Sequence, residues 1–165
     1  MSAAFPAAET AGDSNITAIG WADTVASIAS VTDSAGNTYT TALPTFRGNG
    51  LSQAIYYASD AAAGSDTVTV TFDRTPSCVD VRISEYSGIG AFDVGAAATA
   101  ATGDGSSGTA TTTDANDLLF GAGMSGGAFT VAGTGHTSRV LTRTTASPRT
   151  APSPSPGPTA RRQRT

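Results

Sequence analysis

The sequence predicts an all-β protein, an antiparallel β-sandwich of jelly-roll or immunoglobulin-like type. Three observations carry this. Short windows alternate apolar and polar residues with period two, as strands with one face buried require. Clusters of Gly, Asn, Asp, Ser and Pro separate them, and several short strands punctuated in this way suit a sandwich or jelly roll. No window carries a sustained stripe at helical spacing.

The first strand window is "NITAIGWA". It places Ile16 and Ala18 on one face and Thr17, Ile19 and Trp21 on the other. Next comes "SVTDSAGNTYT", with alternation on both sides of a polar knot. A calcium loop would need more oxygen ligands than its one carboxylate supplies, and Ala35 stands where a ligand would be. The stretch from Asp33 to Asn37 therefore reads as a hairpin turn, with Gly36 or Asn37 at positive φ. "LSQAIYYA" sets Leu51, Ile55 and Tyr57 on the face read as inward, opposite Ala54 and Tyr56. "DTVTVTF" turns Val68, Val70 and Phe72 inward and Thr67, Thr69 and Thr71 outward, and "CVDVRISEY" turns Val79, Val81 and Ile83 inward. "DLLFGAG" and "AFTVAG" read as later, weaker strands. Residues 95–113, small and polar, read as a long loop with a weak edge strand.

The 165 residues suit one domain with a single core. Only 13% are charged, about half the usual share. A net charge of −4 without a clustered basic face argues against nucleic-acid binding. No apolar run approaches the roughly 18 residues of a membrane span, and "MSAAFPAAETAGDS" lacks the apolar core of a signal peptide. The single cysteine, Cys78, excludes an internal disulfide and reads as a packing thiol.

Few residues carry catalytic chemistry. "GMSGG", 123–127, has the spacing of a nucleophile elbow around Ser125. The one histidine, His136, follows it, but no acid occurs after Asp117, so the triad lacks its orienting group. Glu85 and Asp93 would need a shared cleft to act as a glycosidase pair, and read instead as a strand end and a turn. Asp104 in "GDGSSG" has too few neighbouring ligands for calcium. The expectation is no enzyme, no metal site and no cofactor. The residues singled out for ligand binding are Trp21, Tyr56 and Tyr86, as an aromatic platform for sugars. Trp21 is read in the first place as a core anchor, and the two tyrosines as the exposed ones. Asn15 in "NIT" needs no glycan reading.

Six blocks, "GWADTVASIASVTDSAGNTYT", "LSQAIYYA", "TVTVTF", "VRISEYSG", "TTTDANDLLFGAG" and "GHTSRV", together resemble a domain repeated in large secreted and surface proteins of bacteria. It often stands beside immunoglobulin-like and fibronectin-like modules. The resemblance covers roughly residues 10–142. It implies a secreted β-sandwich module, placed outside the cell or at its surface, with neighbouring domains, cell-surface polymer or a glycan as partner and no activity. Two functions follow as expectations. One is a non-catalytic structural, display or adhesion module, and the other a carbohydrate-binding accessory module.

The chain departs from that pattern after residue 142. Up to there it holds four Arg against thirteen acids; beyond, it holds five Arg, no acid and five of its eight prolines. Residues 1–142 therefore read as the sandwich, lacking terminal strands, and 143–165 as a disordered Pro/Ser/Arg-rich tail. The genetic code supplies a sharper expectation. Read one base earlier, Ser and Pro codons turn "PSPSP", 152–156, into an alternation such as Thr-Val-Thr-Val-Thr. The same shift can turn Arg149 and Thr150 into Glu-Asp, and 157–160 into Gly-Ser-Tyr-Ser, as the resembling domains have. The expectation is a one-base frameshift near codons 142–144.

Overall fold

The computed structural model describes residues 1–100, 105–127, 129 and 131–139. It is all-β, built as two antiparallel sheets facing each other. The strands are β1 (Ser2–Ala4), β2 (Ser14–Trp21), β3 (Ile28–Asp33), β4 (Thr40–Gly48), β5 (Leu51–Ala58), β6 (Thr67–Phe72) and β7 (Asp80–Tyr86). One sheet has the order β1-β6-β3, and the other β4-β5-β2-β7. Every connection passes from one sheet to the other except the β4–β5 hairpin.

That hairpin is turned by Asn49 and Gly50, at φ 53° and 79°. Both central residues thus have the positive φ of the tight turn whose twist matches its strands. In contrast, Asp33–Asn37 is a turn but not a hairpin, because β3 and β4 belong to different sheets. Gly36 takes positive φ, 81°, and the chain arches across the end of the sandwich. Two apolar faces that must both be buried favour this crossing over a return along the same sheet. Pro44 lies in β4, an edge strand, where the register slips between Leu43 and Phe46. Proline has no N–H for the ladder, so an irregular edge accommodates it.

The core lies between the sheets. Ile19, Trp21, Ala54, Val70 and Val81 are buried there, with Val31, Phe72, Ile83 and Tyr56 packed against them. Trp21 meets Phe72 edge to face, ring centroids 5.2 Å apart. Fully burying side chains such as Ile19 or Val70 contributes about 1.5–3 kcal/mol each. The inward faces of β6 and β7 are as the alternation predicts. The face of β5 is the opposite. Tyr56 pairs with Thr17 and Ala54 with Ile19, so Ala54 and Tyr56 point inward, and Leu51, Ile55 and Tyr57 outward.

The cause is β2, which is buried along its whole length and hence on both faces. The outer side of the four-stranded sheet is covered by chain that follows β7. Phe92 lies against Tyr57, Met124 against Gly20 and Thr99 against Gly48. A β-carbon on Gly20 would collide with the Met124 side chain, so the bare backbone there is what lets the covering segment approach. With both sides of the sheet dry, large apolar residues no longer mark the core side. Among the described residues no strand follows Tyr86. Residues 117–123, expected as a strand, are irregular, with Leu118 and Leu119 exposed. A strand requires a partner edge. Part of the second late window, 128–133, lies outside the described residues, as do 101–104 and the tail.

Candidate functional site

At one end of the sandwich, polar side chains from four segments meet in the interior. A strap of chain, Glu9–Asp13, passes from the three-stranded sheet to β2. Its backbone pairs with the loop before β6: Glu9 N–H to the Gly64 carbonyl at 2.8 Å, Gly64 N–H to the Glu9 carbonyl at 3.1 Å, and Gly12 N–H to the Ala61 carbonyl at 3.0 Å. This points the Glu9 side chain inside, where the residue is 4% exposed. Asn15 of β2 is fully buried beside it, on the same inward face as Ile19 and Trp21. Asp66, just before β6, is 2% exposed.

Asp66 splits its roles between two oxygens. Oδ1 accepts from the Ser34, Ala35 and Thr67 N–H groups and from the Ser34 hydroxyl, the last at 2.7 Å. Oδ2 is buried without a direct partner. So are both Glu9 carboxyl oxygens, both polar atoms of the Asn15 amide, the Thr17 hydroxyl and the Tyr39 hydroxyl. Burial pushes the Glu9 carboxyl up to about 7, offset in part by Asn15 and reinforced by the negative neighbours Asp66 and Glu85. Burial likewise raises the Tyr39 phenol, and Asp33 adds to it. For Asp66, burial opposes the charge, yet the bonds from Ser34, Thr67 and Ala35 outweigh it and hold the carboxyl below the ordinary range.

The opposite end is closed by a different carboxylate. Asp23 Oδ1 accepts from the Val25 and Ala26 N–H groups at 2.9 and 2.8 Å, and Oδ2 accepts from Ser77 N–H at 3.0 Å. Its carboxyl is held below the usual range, chiefly by the Ala26 N–H. Beside it Arg47 donates to the Ser52 hydroxyl, the Ala26 carbonyl and the Ser27 hydroxyl, each at 3.0 Å, and lies over the Trp21 ring. Other acids do similar work. Asp33 binds Asn37 through its backbone and side-chain N–H groups, and Asn37 in turn accepts from Ala62 N–H. Asp73 accepts from Ser27 N–H, and Asp93 from the N–H and hydroxyl of Thr113.

The three residues singled out from sequence do not form a platform. Trp21 is fully buried between the sheets, as its core reading has it, and presents no face to a ligand. Tyr56, expected on the outside, is on the core side and half-buried; the inverted face of β5 accounts for this. Tyr86 lies on the other side of its sheet, opposite Ser14, with Phe120 edge-on at 6.3 Å and Arg139 over its ring. It borders a shallow cleft of about 280 Å³ along β7, with Phe5, Pro6, Glu85 and Arg139. Glu85 Oε1 accepts from Thr10 N–H at 2.6 Å. It shares none of the hydrogen bonds of Asp93, so the two acids hold separate loops. Ser125 Oγ accepts from Gly127 N–H, and the His136 ring faces the Thr134 carbonyl, so neither addresses the other. Asp104 lies outside the described residues.

Cys78 is exposed, contrary to its reading as a packing thiol. Its φ of 46° turns the chain just before β7, so the side chain leaves the apolar alternation that begins at Val79. Among the described residues no three His, Cys, Asp or Glu side chains are grouped to hold a metal ion. The Glu9–Asn15–Tyr39–Asp66 cluster was not foreseen. Its one sequence signal is Asn15 and Thr17 standing in register with Ile19 and Trp21, polar residues on a face that should be apolar. Comparison with known proteins yields no match to a family model, a curated protein or a solved structure.

Proposed function

We propose that the chain is a non-catalytic structural or surface-display module of a bacterial secreted protein, acting outside the cell beside other domains. The observation that supports it is how the acids are used. Asp23, Asp33, Asp66, Asp73, Asp93 and Glu85 each accept a backbone N–H of a loop or connection. Charge-assisted bonds of this kind are stronger than neutral ones and fix loop geometry. Pinned connections at both ends of a sandwich suit a module whose task is to keep its shape while spacing or presenting its neighbours. The placement outside a bacterial cell rests on the sequence resemblance of residues 10–142.

A second reading, a carbohydrate-binding accessory module, is favoured by the Tyr86–Phe120–Arg139 group beside the cleft. Aromatic faces with a planar cation nearby are chemically suited to sugar rings. A glycan array probed with the intact chain separates the two. Signals at background support the structural reading. Specific retention that Tyr86→Ala abolishes, with the melt of the variant unchanged, replaces it by the second.

A further inference from the structure

The interior cluster at the strap end holds the Glu9 and Asp66 carboxyl groups, and neither forms an ion pair among the described residues. The charged groups that act on Glu9 are Asp66 from the approach to β6 and Glu85 from β7, both acids. The arch between β3 and β4 adds Asp33, which acts on Asp66 and on Tyr39. The ion pairs of the described residues, Arg74–Asp73 and Arg82–Asp80, lie elsewhere. Two facing carboxylates in a dry interior repel each other, and every buried polar atom left unpaired adds its own cost.

One proton resolves all of this. A neutral Glu9 would donate its O–H to its neighbour Asp66 at Oδ2 and accept at its carbonyl oxygen from the Asn15 Nδ2 amide, and Asn15 Oδ1 would accept from the neighbouring Tyr39 hydroxyl. Six of the buried atoms that lack direct partners would then form one connected chain of donors and acceptors. Without the proton the chain has no donor between the two carboxyl groups.

We propose that Glu9 and Asp66 share a single proton, and that this proton latches the Glu9–Asp13 strap onto the end of the sandwich as a pH-sensitive closure. The strap is the element at stake because Glu9 carries both the carboxyl group and the backbone pair with Gly64. Loss of the proton sets Glu9 against Asp66 and loosens the Gly12–Ala61 and Thr10–Glu85 bonds along with it.

The direction follows from linkage. Glu9 takes up its proton more readily when closed, near 7, than its ordinary 4.5. Closure is therefore fully favoured below pH 4.5 and weakens as the pH rises to 7. Above that it stays at its weaker level. A gap of this size raises the population of the open strap roughly 300-fold across that window.

The chain offers a direct probe, because Glu9 and Glu85 are its only glutamates. The intact protein, labelled with ¹³C at the glutamate side chains, gives two carboxyl resonances to follow with pH. Glu9 is expected to titrate near 7, well above its ordinary 4.5. Amide exchange at Gly12 and Gly64, corrected for the intrinsic dependence on pH, is expected to speed up from pH 5 to 7.5. E9Q keeps a donor facing Asp66, so its corrected exchange should stay flat. D66N supplies a donor to an ionised Glu9, whose titration should then fall toward the ordinary 4.5. Titration of Glu9 near its ordinary 4.5 in the wild-type chain would overturn the proposal, even if E9Q failed to fold. So would unchanged pH-dependent exchange in E9Q. A shift of the Glu9 resonance at pH 7.5 on adding one equivalent of calcium chloride, with slowed exchange at Gly64, would overturn it in favour of a cation site.

Discussion

Replacing Asp23 by Ala removes the acceptor of three backbone N–H groups that tie the β2–β3 connection to the turn before β7. The three losses are unequal. Val25 and Ser77 are exposed, so water takes over their N–H groups at small cost. Ala26 is fully buried, and its N–H loses a partner 2.8 Å away. An orphaned buried donor costs about 1–3 kcal/mol, so D23A should destabilise the fold by about 2 kcal/mol in total. For a chain of this size that corresponds to a fall in Tm of about 4–8 °C. Urea unfolding followed by Trp21 fluorescence measures it, with an unchanged slope confirming that the native state is intact. D73A is the matched comparison. Its lost partner, Ser27 N–H, is within reach of water, so its effect should be clearly the smaller. The Asp23 carboxyl is held below its ordinary 3.8, chiefly by Ala26 N–H. Its contribution is thus present above pH 3.8 and lost as the pH falls through the lowered value. The gap between wild type and D23A should narrow in acid. A D23A variant within about 0.5 kcal/mol of wild type, or no more affected than D73A, would refute the reasoning, since surface changes commonly fall in that range.

Two further outcomes follow from the geometry. Gly50, at φ 79°, occupies the second central position of the β4–β5 turn, so Gly50→Ala should cost about 1–2 kcal/mol by thermal melt, and a neutral result would mean another turn geometry. The exposed Cys78 should react with a thiol reagent in the native protein as fast as it does in urea; protection until unfolding would restore its reading as a packing residue.

The strands with one dry face were legible in the sequence. In β6, Val68 and Val70 alternate with threonines that stay outside, and period two identifies both strand and face. For β5 the same rule identifies the strand and inverts the face. On its outer face Tyr57 meets Phe92 of the segment after β7, while the core side needs small Ala54 to fit beside Ile19. The Asn49–Gly50 turn of the β4–β5 hairpin answers a purely local backbone demand, which Asn and Gly meet. The arch at Asp33–Asn37 was legible as a turn and not as a crossing, since sheet membership depends on strands far away in sequence. The same limit hid the interior cluster. Glu9, Asn15, Tyr39 and Asp66 sit on four segments, and no spacing connects them until the sandwich closes. Tyr56 misled for one reason and Trp21 did not for another: a lone Trp in a small sandwich is most simply spent on the core.

The claim that carboxylates pin the connections is tested most directly by amide hydrogen exchange, read residue by residue on the intact chain. Val25, Ala26, Ala35, Asn37 and Ser77 lie outside the strands, yet each N–H donates to a carboxylate. The expected result is exchange at these five amides slowed well below that of an exposed loop residue such as Thr75. Exchange at ordinary loop rates would mean that the ends of the sandwich are loose. It would contradict the account of this chain as a module built to hold its shape.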